Sequence, residues 1–375
     1  MNPCQACGGH ELREIAGFGA LPRVTSDSKP FRAGGRLFVC AGCGLTQKST
    51  DAQWLAEIGE IYRDYEMYHQ SAAVDQAVFV DGRPVGRCEV LARHLLREMP
   101  REGRLLDVGA GSGAMLAAFS SVHPQWRLYG LDLDNRKEPA LRAIRGFEKL
   151  FTVPPAQVPE QFDLVSLIHS LEHFTEPAAM LRSLQARLRP DGRLFVQVNN
   201  LERQPFDLVV ADHLCHFTPA SLAFLVARAR LSPARAEAWI GKEISLLCTA
   251  GAPKSAVAPD DPSQALLRAE AAVSWLASML AHARQACRGR RFGIFGTSVA
   301  ATWLAAGLGD AVEFFVDEDP AREGRSHLGR PILPPARVAP GSTVYLAFVR
   351  EVAEPIRRRL ATLPFDFAAP PALAA

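Results

Sequence analysis

RLLDVGAGSGAMLAAF, residues 104–119, decides the fold of this 375-residue chain. A short apolar run of strand length leads into three alternate glycines, and an apolar run of helical character follows. Gly109, Gly111 and Gly113 let a ligand approach the backbone closely, and the first turn of the ensuing helix offers free N–H groups. Outward from this turn, strand-like and helix-like runs alternate: RLYGLDLD (127–134), FDLVSLIHS (162–170), MLRSLQARL (180–188), RLFVQVNN (193–200) and TPASLAFLVARA (218–229). In the last of these, Thr218 is placed to cap the helix and Pro219 to open it. This alternation predicts a doubly wound α/β fold with a mostly parallel sheet. AEAWI (236–240) and EISLLCTA (243–250), joined by two residues, predict an antiparallel hairpin at one edge.

The flanks read differently. Four of the eight cysteines fall in the first 43 residues, as Cys4-x2-Cys7 and Cys40-x2-Cys43, each pair followed by glycine. Two CxxC knuckles bring four thiolates around one tetrahedral Zn²⁺, and a closed four-cysteine shell points to a structural site. A fold this small has little core, so the metal is expected to supply much of its stability. Residues 51–100 read as mainly helical, with Tyr62, Tyr65 and Tyr68 spaced to share one helix face. GAPKSAVAPDDPSQ (251–264) reads as a linker and is followed by a long helical pattern. A second α/β unit then begins at RFGIFG (291–296), and the tail AAPPALAA (368–375) is expected to fray. The predicted organisation is a zinc-binding domain at 1–50, an α/β core with an N-terminal helical segment at 51–250, a linker and helix at 251–289, and a C-terminal α/β Rossmann-like domain at 290–375.

Composition excludes several classes. Apolar residues make up 48% and charged residues 22%, which is the mix of a chain that buries sizeable cores rather than of a disordered or collagen-like one. Lys plus Arg number 42 against 40 Asp plus Glu. Global charge therefore gives no sign of a nucleic-acid partner, and five basic against three acidic residues in the first 45 is too small an excess to track phosphates. The opening MNPCQACGGHELREI lacks a basic stretch followed by an apolar one, and no run reaches the ~18 apolar residues of a membrane span. A cytoplasmic protein without a membrane partner is expected.

The second strand ends in Asp132, placed to accept hydrogen bonds from ribose hydroxyls. Gly109-x-Gly111-x-x-Ala114 also satisfies the dinucleotide fingerprint, but Asp107 beside it would repel a pyrophosphate and suits a ligand bearing an ammonium group. The form Asp107-x-Gly109-x-Gly111-x-Gly113, with YGLDLD and FDLVSLIHSLEHFTEP downstream, resembles the class I S-adenosylmethionine-dependent methyltransferases. The resemblance covers residues 104–250. It implies a seven-stranded Rossmann-like core in which Asp107, Gly109, Ala110, Gly111 and Gly113 line the methionine end of S-adenosylmethionine. Asp132 and the adjacent Leu133 would hold the ribose side, Ile168 and His169 would flank the sulfonium, and the adenine is expected near Phe151.

Over nearly the whole chain the layout is similar to the three-domain sugar C-methyltransferases, which act on nucleotide-linked keto-deoxysugars. The cysteine pairs, Tyr65-x-x-Tyr68-x-x-Ser71, LEHFTEP and Asp212-His213-Leu-x-His216-Phe-Thr carry that resemblance. Methylating a carbon next to a ketone needs a base for the α-proton and donors for the enolate oxygen. His213 is the candidate base, with Asp212, His173 and Tyr68 as candidates for orienting the substrate or stabilising its oxyanion. Where the family pattern has Tyr-x-Glu-His, this chain has Val210-Ala-Asp212-His213. An O- or N-methyltransferase of another small molecule, with His213 as base, accommodates both changes, and a zinc-containing RNA methyltransferase is the other alternative. In the C-terminal unit, Gly293-x-x-Gly296-Thr297-Ser298 closes a strand and opens a helix. That unit is expected either to hold the nucleotide part of the substrate or to serve packing alone.

Overall fold

The computed structural model describes residues 3–63, 75–80, 83–133 and 135–373. The stretch around the glycine turn forms a seven-stranded sheet: β1 (Arg104–Val108), β2 (Arg127–Leu131), β3 (Phe147–Phe151), β4 (Phe162–Ile168), β5 (Leu188–Asn199), β6 (Leu231–Pro233) and β7 (Glu243–Ala250). Their order across the sheet is β3-β2-β1-β4-β5-β7-β6, with β7 alone antiparallel to its neighbours. Strand order reverses between β1 and β4, whose residues Val108 and Leu167 lie in register. The carboxyl ends of these two central strands therefore open onto one crevice, the usual place for a ligand in such sheets. β1 and β4 are buried along nearly their whole length, as expected for central strands covered by helices on both faces.

A four-stranded antiparallel sheet lies on the N-terminal side, in the order Leu12–Glu14, Leu37–Cys40, Thr46–Lys48, Cys215–His216. Its last strand comes from the segment after β5, so the cysteine-bearing module and the central segment share one sheet. The Lys48 amide donates to Leu214 O at 2.8 Å, and the Ala211 amide to Val24 O at 2.7 Å. Arg23, fully buried, makes a two-pronged pair with Glu57 at 2.8 and 3.0 Å and fastens the helix Ala52–Arg63 to the same module.

The C-terminal sheet has six strands, in the order Ser326–His327, Arg330–Leu333, Phe314–Val316, Phe292–Phe295, Thr343–Tyr345, Asp366–Ala368. The helix Pro262–Ala286, capped by Asp261, lays its Ala-rich face between this sheet and the N-terminal module. Phe18, Val24, Phe206, Trp275 and Trp303 share that core. No helix among the described residues is long and apolar enough to cross a membrane.

Three expectations are corrected. Ala77–Val80 pairs antiparallel with Arg83–Gly86, inside the stretch read as helical; the β-branched and aromatic AVFV is a strand signal in the sequence. AEAWI is not a strand. Apart from one bridge at Glu237, the partner of β7 is the earlier Leu231–Pro233, because Trp239 leaves the edge to stack on Phe195 at 5.1 Å and on His94 at 4.7 Å. The tail does not fray through Leu373: Asp366–Ala368 adds a parallel strand, and Trp275 Nε1 donates to Pro371 O at 2.8 Å.

Candidate active site

The glycine turn leaves β1 with all three glycines at positive φ: Gly109 at 77°, Gly111 at 51° and Gly113 at 86°. They do different work. A Cβ on Gly111 would meet nothing closer than Gly109 O at 3.9 Å, so this position faces open space. A Cβ on Gly109 would come within 3.0 Å of Ser170 Cβ, at the end of β4. Gly113 is buried, and a Cβ there would sit 2.6 Å from both Leu141 and Ile144, so this glycine serves helix packing rather than the cradle.

Asp132 at the end of β2 is held by backbone amides. Its two oxygens accept from Gly111 N and Leu133 N, each at 2.7 Å. Leu133 is 79% exposed and stands beside it. Phe151 is not available for an adenine: its ring is buried, stacked near Tyr129 and covered by Lys149. Asp107 is buried beneath the turn and accepts from Ser166 Oγ at 2.6 Å. Burial pushes its pKa up to about 7, and the neighbouring Asp132 adds to this. A cationic ligand above Asp107 would restore its charge. The open face of Gly109 and Gly111, the oriented Asp132 carboxylate and the buried Asp107 thus fit a nucleoside that also carries an ammonium group.

Past Ile168 the chain turns sharply. His169 adopts a left-handed φ of 48°, a conformation uncommon outside glycine, and its ring lies between two carboxylates. Nδ1 is 3.2 Å from Glu172 Oε1 and Nε2 is 3.2 Å from Glu243 Oε2. Burial opposes a charge on this ring, yet Glu243 and Glu172 together raise its pKa. Glu243 is further held by Arg87 at 3.3 Å and Gln197 at 2.7 Å. His169 therefore belongs to a buried relay of alternating charge behind the crevice.

The next turn, Leu171–His173, carries Glu172 and His173 toward the loop 207–216. His213 and His216 both lean on Asp207, Nδ1 to Oδ1 and Nδ1 to Oδ2, each at 2.6 Å. Asn199 Nδ2, at the end of β5, donates to the same Oδ1 at 2.9 Å. Burial works against the His213 cation, but the Asp207 carboxylate raises its pKa above the usual histidine range. Against the same penalty of burial, the two imidazoles hold Asp207 well below the usual carboxylate range. His216 is pushed by burial down to about 4. His173 meets His213 edge-on, ring centroids 4.7 Å apart, and its Nδ1 lies 3.0 Å from both Asp212 O and the Tyr62 hydroxyl. Asp212 is fully buried; its carboxylate accepts from Ser26 N and Ser26 Oγ and lies 3.5 Å from His173 Nδ1. Both of its oxygens are thus engaged by Ser26, which ties the loop to the N-terminal module. Tyr65, Tyr68 and Ser71 lie outside the described residues.

Sequence reasoning missed Asp207, Glu172, Glu243 and Lys48. Glu172 had a signal, since it sits in LEHF three residues after His169. Asp207 lies six residues before His213 and carried none. Lys48 is fully buried, and its Nζ donates to the carbonyls of Val210 and His213. Burial brings its pKa down to about 7.

Cys4, Cys7, Cys40 and Cys43 converge, with all four sulfurs within 4.8 Å of one another. Cys4–Cys43 and Cys7–Cys40 are each 3.5 Å apart, and none of the four is in a disulfide. The amides of Gly9 and Gly42 point at Cys7 Sγ and Cys40 Sγ, at 3.3 and 3.4 Å. Sulfurs at these separations, with amides aimed at two of them, match the edges of a tetrahedral metal–thiolate site with ~2.3 Å bonds.

A family model described as a methyltransferase domain matches residues 85–232. Among curated proteins, the ubiquinone biosynthesis O-methyltransferase of Aeromonas salmonicida (strain A449) is 30% identical over 128 residues, covering 31% of this chain and 52% of that protein. The protein of the same name from Xylella fastidiosa (strain 9a5c) is 30% identical over 142 residues, covering 34% and 55%. The chain thus spans about half the length of these relatives. A solved mitomycin 7-O-methyltransferase superposes with a TM-score of 0.38 at 19% identity, over 44% of this chain and 55% of that one, too loosely to add to the reading. The matched residues 85–232 hold the glycine turn, Asp132 and the His213 loop.

Proposed function

We propose that the whole protein transfers the methyl group of S-adenosylmethionine to a small-molecule acceptor, with His213 as the group that takes the acceptor's proton. The observation that carries this reading is the Asp207–His213 pair. A carboxylate can only accept, so Nδ1 of His213 carries a proton, and in the neutral ring Nε2 presents the lone pair. The pair stands next to His173, on the turn that follows Ser170, and Ser170 touches the glycine cradle. Gly109, Gly111 and Asp132 would hold the cofactor, with Ala110 and Leu133 alongside and Asp107 beneath its ammonium group. When bound, the cofactor supplies a methyl group already activated on a sulfonium. The chain's own contribution is then to hold the acceptor in line, exclude water and accept one proton.

The acceptor we favour is a nucleotide-linked keto-sugar, on the resemblance of the cysteine pairs and the Asp212-His213-Leu-x-His216 segment to sugar C-methyltransferases. O-methylation is the second reading: the curated relatives are O-methyltransferases by name, and a lone pair at His213 Nε2 serves a hydroxyl as well as an α-carbon. The four cysteines hold a structural Zn²⁺ in this reading, keeping the strand Thr46–Lys48 against the His213 loop.

Two measurements test the proposal in order. Calorimetric titration with S-adenosylmethionine should show binding that Asp132→Ala weakens at least tenfold; no binding to folded protein would refute it. A panel of nucleotide-linked keto-sugars and hydroxylated small molecules with labelled cofactor should then yield a product whose formation His213→Ala abolishes while cofactor affinity stays unchanged.

A further inference from the structure

Glu172, His173 and His213 each offer a ligand atom, and the three atoms all lie within 4.8 Å of one another. The other polar atom of each side chain is already committed. Glu172 Oε1 faces His169 Nδ1 at 3.2 Å, His173 Nδ1 faces the Asp212 carbonyl at 3.0 Å, and His213 Nδ1 faces Asp207 Oδ1 at 2.6 Å. The carbonyl and the carboxylate can only accept, so each imidazole carries a proton on Nδ1, with the Tyr62 hydroxyl accepting at His173 as well, and each neutral ring has its lone pair on Nε2. Glu172 is 2% exposed, and its Oε2 is buried with no hydrogen-bond partner among the described residues. An orphaned carboxylate oxygen inside a protein is costly. With both rings neutral, two Nε2 lone pairs and one carboxylate oxygen cannot satisfy one another, since all three are acceptors; a bound cation satisfies them all.

We propose that Glu172 Oε2, His173 Nε2 and His213 Nε2 bind one first-row divalent cation of the Mn²⁺, Fe²⁺ or Zn²⁺ class. The donor set of two imidazoles and a carboxylate suits those ions better than Ca²⁺ or Mg²⁺. The arrangement behind it is the one that tunes metal sites, with each ligand's far atom held by a carboxylate, a carbonyl or a second ring. Here that outer layer runs from Glu172 through His169 and Glu243 to Arg87. Three protein ligands leave positions open for an acceptor oxygen. The inference rests on the reading that this crevice takes the acceptor, and it replaces the proton-accepting role of His213 with that of a ligand. With the cation bound, the acceptor's oxygen would coordinate it, the proton lost from the acceptor's O–H or from the carbon beside its ketone would pass to water, and the electron pair would stay with the coordinated acceptor until it takes the methyl group.

The test is cobalt loading of the full chain after chelation. Two equivalents should bind. One gives the thiolate-to-cobalt charge-transfer bands of the cysteine set, and the other a weaker d–d band without thiolate character. Glu172→Gln and His173→Asn should each weaken the second equivalent at least tenfold and erase its band, leaving the thiolate bands and S-adenosylmethionine affinity intact as signs of a folded chain. A single equivalent at saturating Co²⁺ in the wild-type protein overturns the proposal, whatever the variants do. So does a second equivalent that persists in both variants. Failure of the cofactor to bind while two equivalents of cobalt load would overturn the methyl-transfer reading of the whole chain and leave the metal site standing.

Discussion

Alanine at Gly113 and at Gly111 should do opposite things, and the difference tests where the cofactor lies. Both glycines hold a left-handed φ, 86° and 51°, which costs a residue with a Cβ roughly 1–2 kcal/mol. At Gly113 the added methyl meets Leu141 and Ile144 at 2.6 Å, and overpacking of that kind adds about 1–3 kcal/mol. Gly113→Ala should therefore destabilise by roughly 2–5 kcal/mol in all. At Gly111 nothing lies within 3.9 Å, so Gly111→Ala should lose only the conformational cost. Its methyl, however, projects onto the face where the cofactor would sit, and a tenfold or greater loss of S-adenosylmethionine affinity is expected, or about 1.4 kcal/mol. Urea unfolding followed by calorimetry, at a temperature where both variants are folded, separates the two effects. If Gly111→Ala binds the cofactor like wild type, the cradle assignment is wrong. If Gly113→Ala unfolds like wild type, the packing argument is.

Other perturbations follow from the same geometry. Asp207→Ala leaves two buried imidazoles without their acceptor and should cost about 3–5 kcal/mol; Asp207→Asn keeps an acceptor that Asn199 steers toward His213, so it should be milder. In Asp207→Asn the acid limb of the pH–rate profile should move to lower pH, because the carboxylate that raises the His213 pKa is gone; a limb that moves up contradicts this. Lys48 titrates near 7 in the folded chain against 10.5 unfolded. The unfolded chain binds the extra proton between those values, so this group makes stability rise with pH from about 7 to 10.5 and withdraws that gain as pH falls through 7. Lys48→Met should flatten that part of a urea-midpoint profile, and an unchanged slope would refute the assignment. On the proposed zinc site, Cys43→Ser should lower the zinc content by one equivalent and abolish methyl transfer while sparing cofactor affinity, since the strand Thr46–Lys48 pairs with Cys215–His216; full activity in the variant would break that link. Ending the chain after Phe365 removes the strand Asp366–Ala368 and the Trp275–Pro371 bond, and should shift tryptophan emission to longer wavelength.

The sequence alone was enough for the strands at 104–108, 127–131, 162–168, 193–199 and 243–250, for the glycine turn and for the convergence of the two cysteine pairs. Each is written locally, in a period of apolar residues, in a spacing of glycines that only a tight turn needs, or in paired CxxC knuckles. It also singled out His173, Asp212 and His213. It could not assign their roles, because a histidine's function depends on what stands against its second nitrogen. Only the tertiary structure paired Asp207 with His213 and His216, turned Asp212 inward onto Ser26, and set His169 between Glu172 and Glu243. Only the tertiary structure brought Lys48 to the carbonyls of Val210 and His213, more than 160 residues away. Periodicity records which side of an element is buried, but not which buried charge will meet which. That pairing is settled by the cost of leaving a charge or a lone pair unmatched in a dry interior, and this cost exists only once distant segments have packed together.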